Sequence, residues 1–154
     1  MPRHPLARGI LVLLAGIALA AWVGLGRALF GIAGDLAIVY TLTLGTLIVV
    51  LHLLIAWSVV RAARRGYRHR PATIGTLVTS WACGVLLGLL IPDITATGLQ
   101  TILTRGEEPA LGIAIGFANP LGVITLVFAV VAAVAARGDA AGRAHLPSEE
   151  ELFD

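Results

Sequence analysis

The chain has 154 residues, of which 58% are hydrophobic and 13% are charged, and its mean hydropathy is +0.92. A soluble domain is nearer half apolar and a quarter charged, so this composition excludes an ordinary soluble fold. The formal net charge is +2, and the single Cys83 excludes an internal disulfide, a Cys-based zinc site and a CxxC redox pair. All 11 basic residues are Arg, which is typical of a GC-rich bacterial genome.

Four apolar stretches predict four membrane spans, because about 20 helical residues cross a hydrocarbon core of about 30 Å. Each stretch is apolar on every side, whereas a strand of a membrane barrel alternates polar and apolar residues. A helix also satisfies its own backbone in lipid. We therefore expect an all-α integral membrane bundle of four helices, forming one domain at 10–136, with spans at 10–30, 36–60, 72–91 and 111–136.

The arginines predict how the spans are oriented. Nine of the 11 arginines fall in three segments that lie on one side of the membrane if there are four spans, namely 1–9, 61–71 and 137–154. Only Arg27 and Arg105 fall on the other side, close to four acidic residues. Because basic residues stay in the cytoplasm, we expect both termini to be cytoplasmic, in the plasma membrane (the inner or cytoplasmic membrane) of a bacterium. The tail 137–154 is polar and is predicted to be disordered.

The first span has a second interpretation. Arg3 and Arg8, followed by an apolar run and Ala18-Leu19-Ala20, resemble a secretory signal peptide with its cleavage site. The apolar run continues to Leu25, which is longer than a signal peptide needs and favours an uncleaved span. Cleavage would leave the other three spans with the same orientation.

Small residues repeat every four positions in three of the spans. Such ridges let helix backbones approach closely in lipid, where apolar surface alone does not drive association. They indicate a compact bundle, without deciding whether each ridge faces the protomer interior or another subunit. The predicted packing positions are Gly16, Ala20 and Gly24 in the first span, Ser80, Gly84 and Gly88 in the third, and Gly112 and Gly116 in the fourth.

His52 is an ionisable residue inside the second span, which makes it a functional candidate. Haem or metal ligation and proton transfer both need polar partners at that depth, and the other three histidines fall in cytoplasmic segments. We expect a neutral imidazole that forms a structural hydrogen bond. Counting 1.5 Å per residue along each helix predicts Thr76 as its partner.

Asn119-Pro120 lies eight residues into the fourth span. Proline removes a helical hydrogen bond and predicts a kink there. The alternative is a helix break that lines a substrate site, as in transporters. The pair resembles part of the aquaporin signature, but Leu121 stands where that signature has Ala and the chain has no second copy, so that match fails.

The loop between the second and third spans carries five arginines. They are candidate contacts for anionic lipid headgroups, although a loop that only sets topology explains them as well. Nucleic acid is not an expected partner. The candidate residues are Arg61, Arg64, Arg65, Arg68 and Arg70.

On the opposite side, Asp35 and Asp93 lie near Arg27 and Arg105 and are predicted to be helix caps and surface pairs. The segment 92–110 is predicted to be a plain loop or to contain a short amphipathic helix at 97–104.

Three function classes remain. We expect a non-enzymatic accessory, assembly or scaffold subunit without a cofactor, which binds the bilayer and either a larger membrane partner or further copies of itself. The alternative is a small oligomeric channel or transporter that uses His52 and the Asn119-Pro120 break. An intramembrane enzyme is the weakest class, because the spans hold no acid pair and no nucleophile–base pair.

Overall fold

A computed structural model of the chain describes residues 5–143 and has four helices that are long and apolar enough to span a membrane. The second of these is continuous but contains a π-helical turn. The helices are α1 (Pro5–Leu25), α2 (Leu36–Tyr40), the π-helical turn Thr41–Gly45, α3 (Thr46–Arg64), α4 (Pro71–Leu90) and α5 (Ala110–Ala140). A 3-10 turn at Gly26–Phe30 follows α1, and a short hairpin of β1 (Asp93–Thr95) and β2 (Gly98–Gln100) follows α4. The prediction of an all-α fold with four long apolar helices is confirmed.

The helices form a ring in which each one packs on two neighbours. Helix α1 packs against α3 and α4, and α5 packs against the same two helices from the other side. We call the end that carries residues 61–70 the arginine end and the end that carries β1 and β2 the hairpin end. The apolar core lies between α1, α3 and α4, around Val23, Ile48 and Leu87, which are almost completely buried.

The small residues of α1 and α4 face the interior of the protomer. A Cβ atom at Gly16 would clash with the His52 ring, and one at Gly88 would clash with Trp22. A Cβ at Gly84 would lie only 3.0 Å from Leu19. Larger residues at these positions would separate the helices, so the glycines set the spacing of the bundle. The remaining predicted positions on these two ridges also face neighbouring helices, since Ala20 and Ser80 are buried and Gly24 lies against Thr41.

The predicted glycines of α5 face outward instead. Gly112 and Gly116 are both exposed, and a Cβ added at Gly116 would meet no atom within 4 Å. Helix α5 therefore packs on its neighbours through its alanines, including Ala129, Ala132 and Ala136, rather than through the predicted glycines.

The segment after α4 is a β-hairpin, so both predictions for residues 92–110 are wrong about Asp93–Gln100. Ile94 pairs with Leu99 in an antiparallel register, and Gly98 turns the chain with a φ of +111°. The Thr95 hydroxyl closes the turn by donating to the Gly98 carbonyl at 2.8 Å. The hairpin is attached to the start of α2 because the Asp35 N–H donates to the Ile94 carbonyl at 3.3 Å.

Helix α5 continues past the predicted end of the span at Ala136 and reaches Ala140. The prediction of a disordered tail from residue 137 is therefore wrong for its first residues, since Gly138, Asp139 and Ala140 are helical and buried. The physical reason is a set of hydrogen bonds to Asp139, described below. The rest of that prediction, for 144–154, lies outside the described residues, as do residues 1–4 of the predicted N-terminal segment.

Candidate functional site

The polar centre of the bundle is a hydrogen-bonded pair formed by His52 on α3 and Trp81 on α4. The Trp81 indole N–H donates to Nε2 of His52 at 2.8 Å, and the planes of the two rings are nearly parallel, 14° apart. An indole only donates, so Nε2 is the acceptor and the proton of a neutral imidazole lies on Nδ1. Nδ1 donates to the Ile48 carbonyl at 2.7 Å. Both ring nitrogens of this fully buried histidine are therefore occupied.

The predicted partner of His52 is wrong. The Thr76 hydroxyl donates to carbonyls of its own helix, at 2.9 Å to Ala72 and 3.1 Å to Thr73. Matching depth along two helices ignores the direction in which each side chain points around its axis. Trp81 lies at nearly the right depth and faces the core, so its indole N–H was the donor to consider.

A second polar contact joins α4 to α5. The buried Ser80 hydroxyl donates to the Thr125 carbonyl at 2.9 Å, and the Thr125 hydroxyl donates to the Leu121 carbonyl at 2.7 Å. Both hydroxyls are satisfied inside the bundle, and the bond from Ser80 joins the two helices.

At the hairpin end, Arg27 and Asp93 form an ion pair that is completely buried. Their Nε and Oδ2 atoms lie 3.2 Å apart, and neither residue is exposed. Arg27 also donates to the Gly24 carbonyl at 3.0 Å and lies 4.9 Å from the centre of the Tyr40 ring. The expectation of a surface pair is therefore wrong for Arg27 and Asp93, because the hairpin folds over the pair and excludes solvent.

Asp93 also takes the capping role that was predicted for Asp35. Its Oδ1 accepts hydrogen bonds from the backbone N–H groups of Leu36 at 2.9 Å and Ile94 at 2.8 Å. Asp35 is exposed and makes no side-chain capping bond. One carboxylate thus joins the 3-10 turn after α1, the start of α2 and the hairpin.

At the arginine end, Asp139 holds the start of α4 against the end of α5. Its carboxylate accepts from Thr73 at 2.7 Å, from Arg70 Nε at 2.7 Å and from His69 at 3.3 Å. Asp139 lies three residues beyond Ala136, where the apolar stretch of α5 ends. Burial acts to raise the pKa of Asp139, but the hydrogen bonds from Thr73, Arg70 and His69 outweigh it and leave the pKa below its ordinary value.

The five loop arginines therefore have different environments. Arg70 is paired with Asp139, while Arg68 has no acidic partner among the described residues and lies outside the groove. The other three, Arg61, Arg64 and Arg65, line one end of a groove of about 690 Å³ between α1 and α3. The sequence suggested equal roles for all five, and only the fold separates them.

Asn119 and Pro120 lie on the outer surface of α5. The helix is continuous through Pro120 rather than divided into two halves. Asn119 is exposed and borders a cleft of about 250 Å³, with Tyr40 and Leu44 among the residues on its other side. Its amide has no hydrogen-bond partner among residues 5–143.

Within the described part of the chain, no group of three His, Cys, Asp or Glu side chains is placed to hold a metal ion. The arrangement joins helices through buried polar contacts and leaves the Asn119 amide and the arginines of the groove at the outer surface. Comparison with protein-family models, with curated proteins and with solved structures finds no match to this chain.

Proposed function

We propose that this protein is a non-enzymatic accessory, assembly or scaffold subunit of the bacterial plasma membrane, which binds a transmembrane helix of a partner protein on the outer face of α5. The four long apolar helices cross the bilayer, with the arginine end and both termini in the cytoplasm. The excess of arginines at one end supports this orientation.

The observation that carries the proposal is the contrast between the interior and the outer face of α5. His52, Ser80 and Thr125 each bond to a partner within the bundle. A transport path needs polar groups that are free to exchange partners, and these groups are occupied. Asn119 is different, because its amide faces outward from an apolar helix with no partner in the described chain.

The neighbours of Asn119 suit the approach of another helix. Gly112, Gly116 and Asn119 are spaced by four and three residues, which places them on one face of α5. The exposed glycines allow the close backbone contact that favours helix association in lipid. An amide beside them can form a hydrogen bond across that contact, which avoids leaving the amide unpaired in hydrocarbon.

The test is purification of the tagged full chain from its native membrane in mild detergent, with quantitative mass spectrometry of co-purifying proteins. We expect one partner at fixed stoichiometry with the unchanged chain, and its loss with Gly116→Leu and with Asn119→Leu. Gly75→Leu on α4 is the matched control, since Gly75 is also exposed and has open space around it. That variant should retain the partner.

Two results would contradict the proposal. One is loss of the partner to the same extent with Gly75→Leu, which would indicate a general effect of leucine at the surface. The other is a pure homo-oligomer that conducts ions or transports solutes in liposomes, with activity that depends on His52 and Asn119. That result would establish the channel or transporter alternative.

A further inference from the structure

We propose that the groove between α1 and α3 binds one anionic phospholipid, with an acyl chain along its apolar walls and the phosphate on Arg61, Arg64 and Arg65. The site is distinct from the α5 face proposed above and does not depend on a protein partner. It requires only that the helices contact lipid at the arginine end.

The walls of the groove are apolar side chains of two helices. Ile10 and Leu13 on α1 face Leu53 and Val60 on α3, and the groove has a volume of about 690 Å³. At its floor the helices touch where Gly9 lies against Val60. A cleft of this size with apolar walls and a few polar groups at one end has the form of a small-molecule site.

The three arginines lie at the C-terminal end of α3, with Arg61 and Arg64 in its last turn and Arg65 directly after it. Arg64 and Arg65 follow Arg61 by three and four residues, so both are neighbours of Arg61, and all three line the groove. The Arg61 guanidinium lies 5.6 Å from the centre of the Trp57 ring, and one amino group of Arg65 donates to the Ala140 carbonyl at 3.0 Å. Trp57 and Ala140 thus hold two guanidinium groups in place while leaving most of their N–H donors free.

Charge complementarity identifies the occupant. None of these three arginines forms an ion pair with an acidic residue among residues 5–143, whereas Arg70, directly before α4, is paired with Asp139. Arg137 on α5 adds a further positive charge, because it shares a second hollow of about 250 Å³ with Arg61 and Arg65. A guanidinium group can donate two parallel hydrogen bonds to a phosphate. Several arginines without acidic partners therefore favour a phosphate group as the ligand. The continuous apolar groove below them favours a phosphate that carries acyl chains.

The experiment measures lipid binding to the purified full chain in neutral detergent by native mass spectrometry. Dioleoyl phosphatidylglycerol is compared with dioleoyl phosphatidylcholine, which has the same acyl chains and no net charge. We expect phosphatidylglycerol to bind more tightly, with one lipid retained per protein. An excess of inorganic phosphate should not displace it, because free phosphate lacks the acyl contact.

Variants separate a specific site from general attraction to a charged surface. Arg61→Gln and Arg64→Gln should each weaken phosphatidylglycerol binding about fivefold, as expected for one headgroup contact. Arg68→Gln is the matched control, since it removes the same charge from the same end of the bundle without altering the groove, and it should leave binding nearly unchanged. Leu53→Trp should fill the groove and weaken binding, whereas Leu86→Trp on the exposed surface of α4 should not. Thermal unfolding of each variant confirms that it is folded.

Three outcomes would overturn the proposal. The first is equal binding of the two lipids, and the second is equal weakening by Arg64→Gln and Arg68→Gln. The third is binding that appears only after residues 144–154 are deleted, because the acidic tail would then be the occupant in the full chain.

Discussion

The buried ion pair at the hairpin end predicts a large effect from a substitution that is nearly isosteric. Asp93→Asn keeps a side-chain oxygen that can accept from the Leu36 and Ile94 backbones, but it removes the negative charge opposite Arg27. Breaking a buried pair by removing one partner costs about 3–5 kcal/mol. The Gly24 carbonyl and the Tyr40 ring still contact the guanidinium, so we expect a loss of about 3 kcal/mol in the free energy of unfolding.

The measurement is denaturant unfolding in detergent micelles followed by circular dichroism. Asp35→Asn is the control, because Asp35 is exposed, makes no capping bond and should change stability by less than about 0.5 kcal/mol. The double variant Arg27→Met with Asp93→Asn should recover about 2 kcal/mol relative to Asp93→Asn alone, because it removes the unpaired charge. A loss for Asp93→Asn no larger than that for Asp35→Asn would refute the argument.

Three further predictions concern the interior and the arginine end. Gly88→Leu should destabilise the bundle by about 1–3 kcal/mol, because the leucine side chain must displace Trp22. Gly75→Leu should have no such effect, and thermal unfolding of both variants in detergent measures the difference. His52→Leu should cost about 1–3 kcal/mol because the Trp81 N–H loses its acceptor, whereas Thr76→Val should cost less than about 0.5 kcal/mol; equal losses would contradict the assigned pair. The pKa of Asp139 is lowered in the folded state, so its carboxylate adds to the free energy of unfolding above the ordinary Asp pKa of about 3.9. That stabilisation is lost as the pH falls through the folded pKa. Asp139→Asn should therefore flatten the acid side of a plot of unfolding free energy against pH.

The apolar stretches were sufficient to predict the four helices, because a run of about 20 apolar residues has few alternatives. The repeating small residues also indicated that glycines would lie at helix contacts. Gly88 does face Trp22, but Gly116 faces outward. The sequence contains the same small-residue spacing in both cases. Which face of a helix is buried depends on all its neighbours, and only the packed structure fixes this.

The buried charges were harder to predict. Arg27 and Asp93 are 66 residues apart and each lies near the end of an apolar stretch, where charged residues normally face solvent. Asp139 lies in a polar segment that is typical of a disordered tail. Each becomes buried because a distant segment supplies an opposite charge or a hydrogen-bond donor. The sequence offered one signal: Arg27 and Asp93 carry opposite charges and fall at the same end of the predicted bundle.

Site-specific labelling in intact cells and inverted membrane vesicles tests the central claim, that four helices cross the membrane with the arginine end in the cytoplasm. In a Cys83→Ser background, single cysteines replace Arg68 in the loop before α4 and Ala96 in the hairpin, both of which are exposed. A membrane-impermeant maleimide should label Ala96→Cys only in intact cells and Arg68→Cys only in inverted vesicles. Labelling of both positions from the same side would contradict the four-span arrangement.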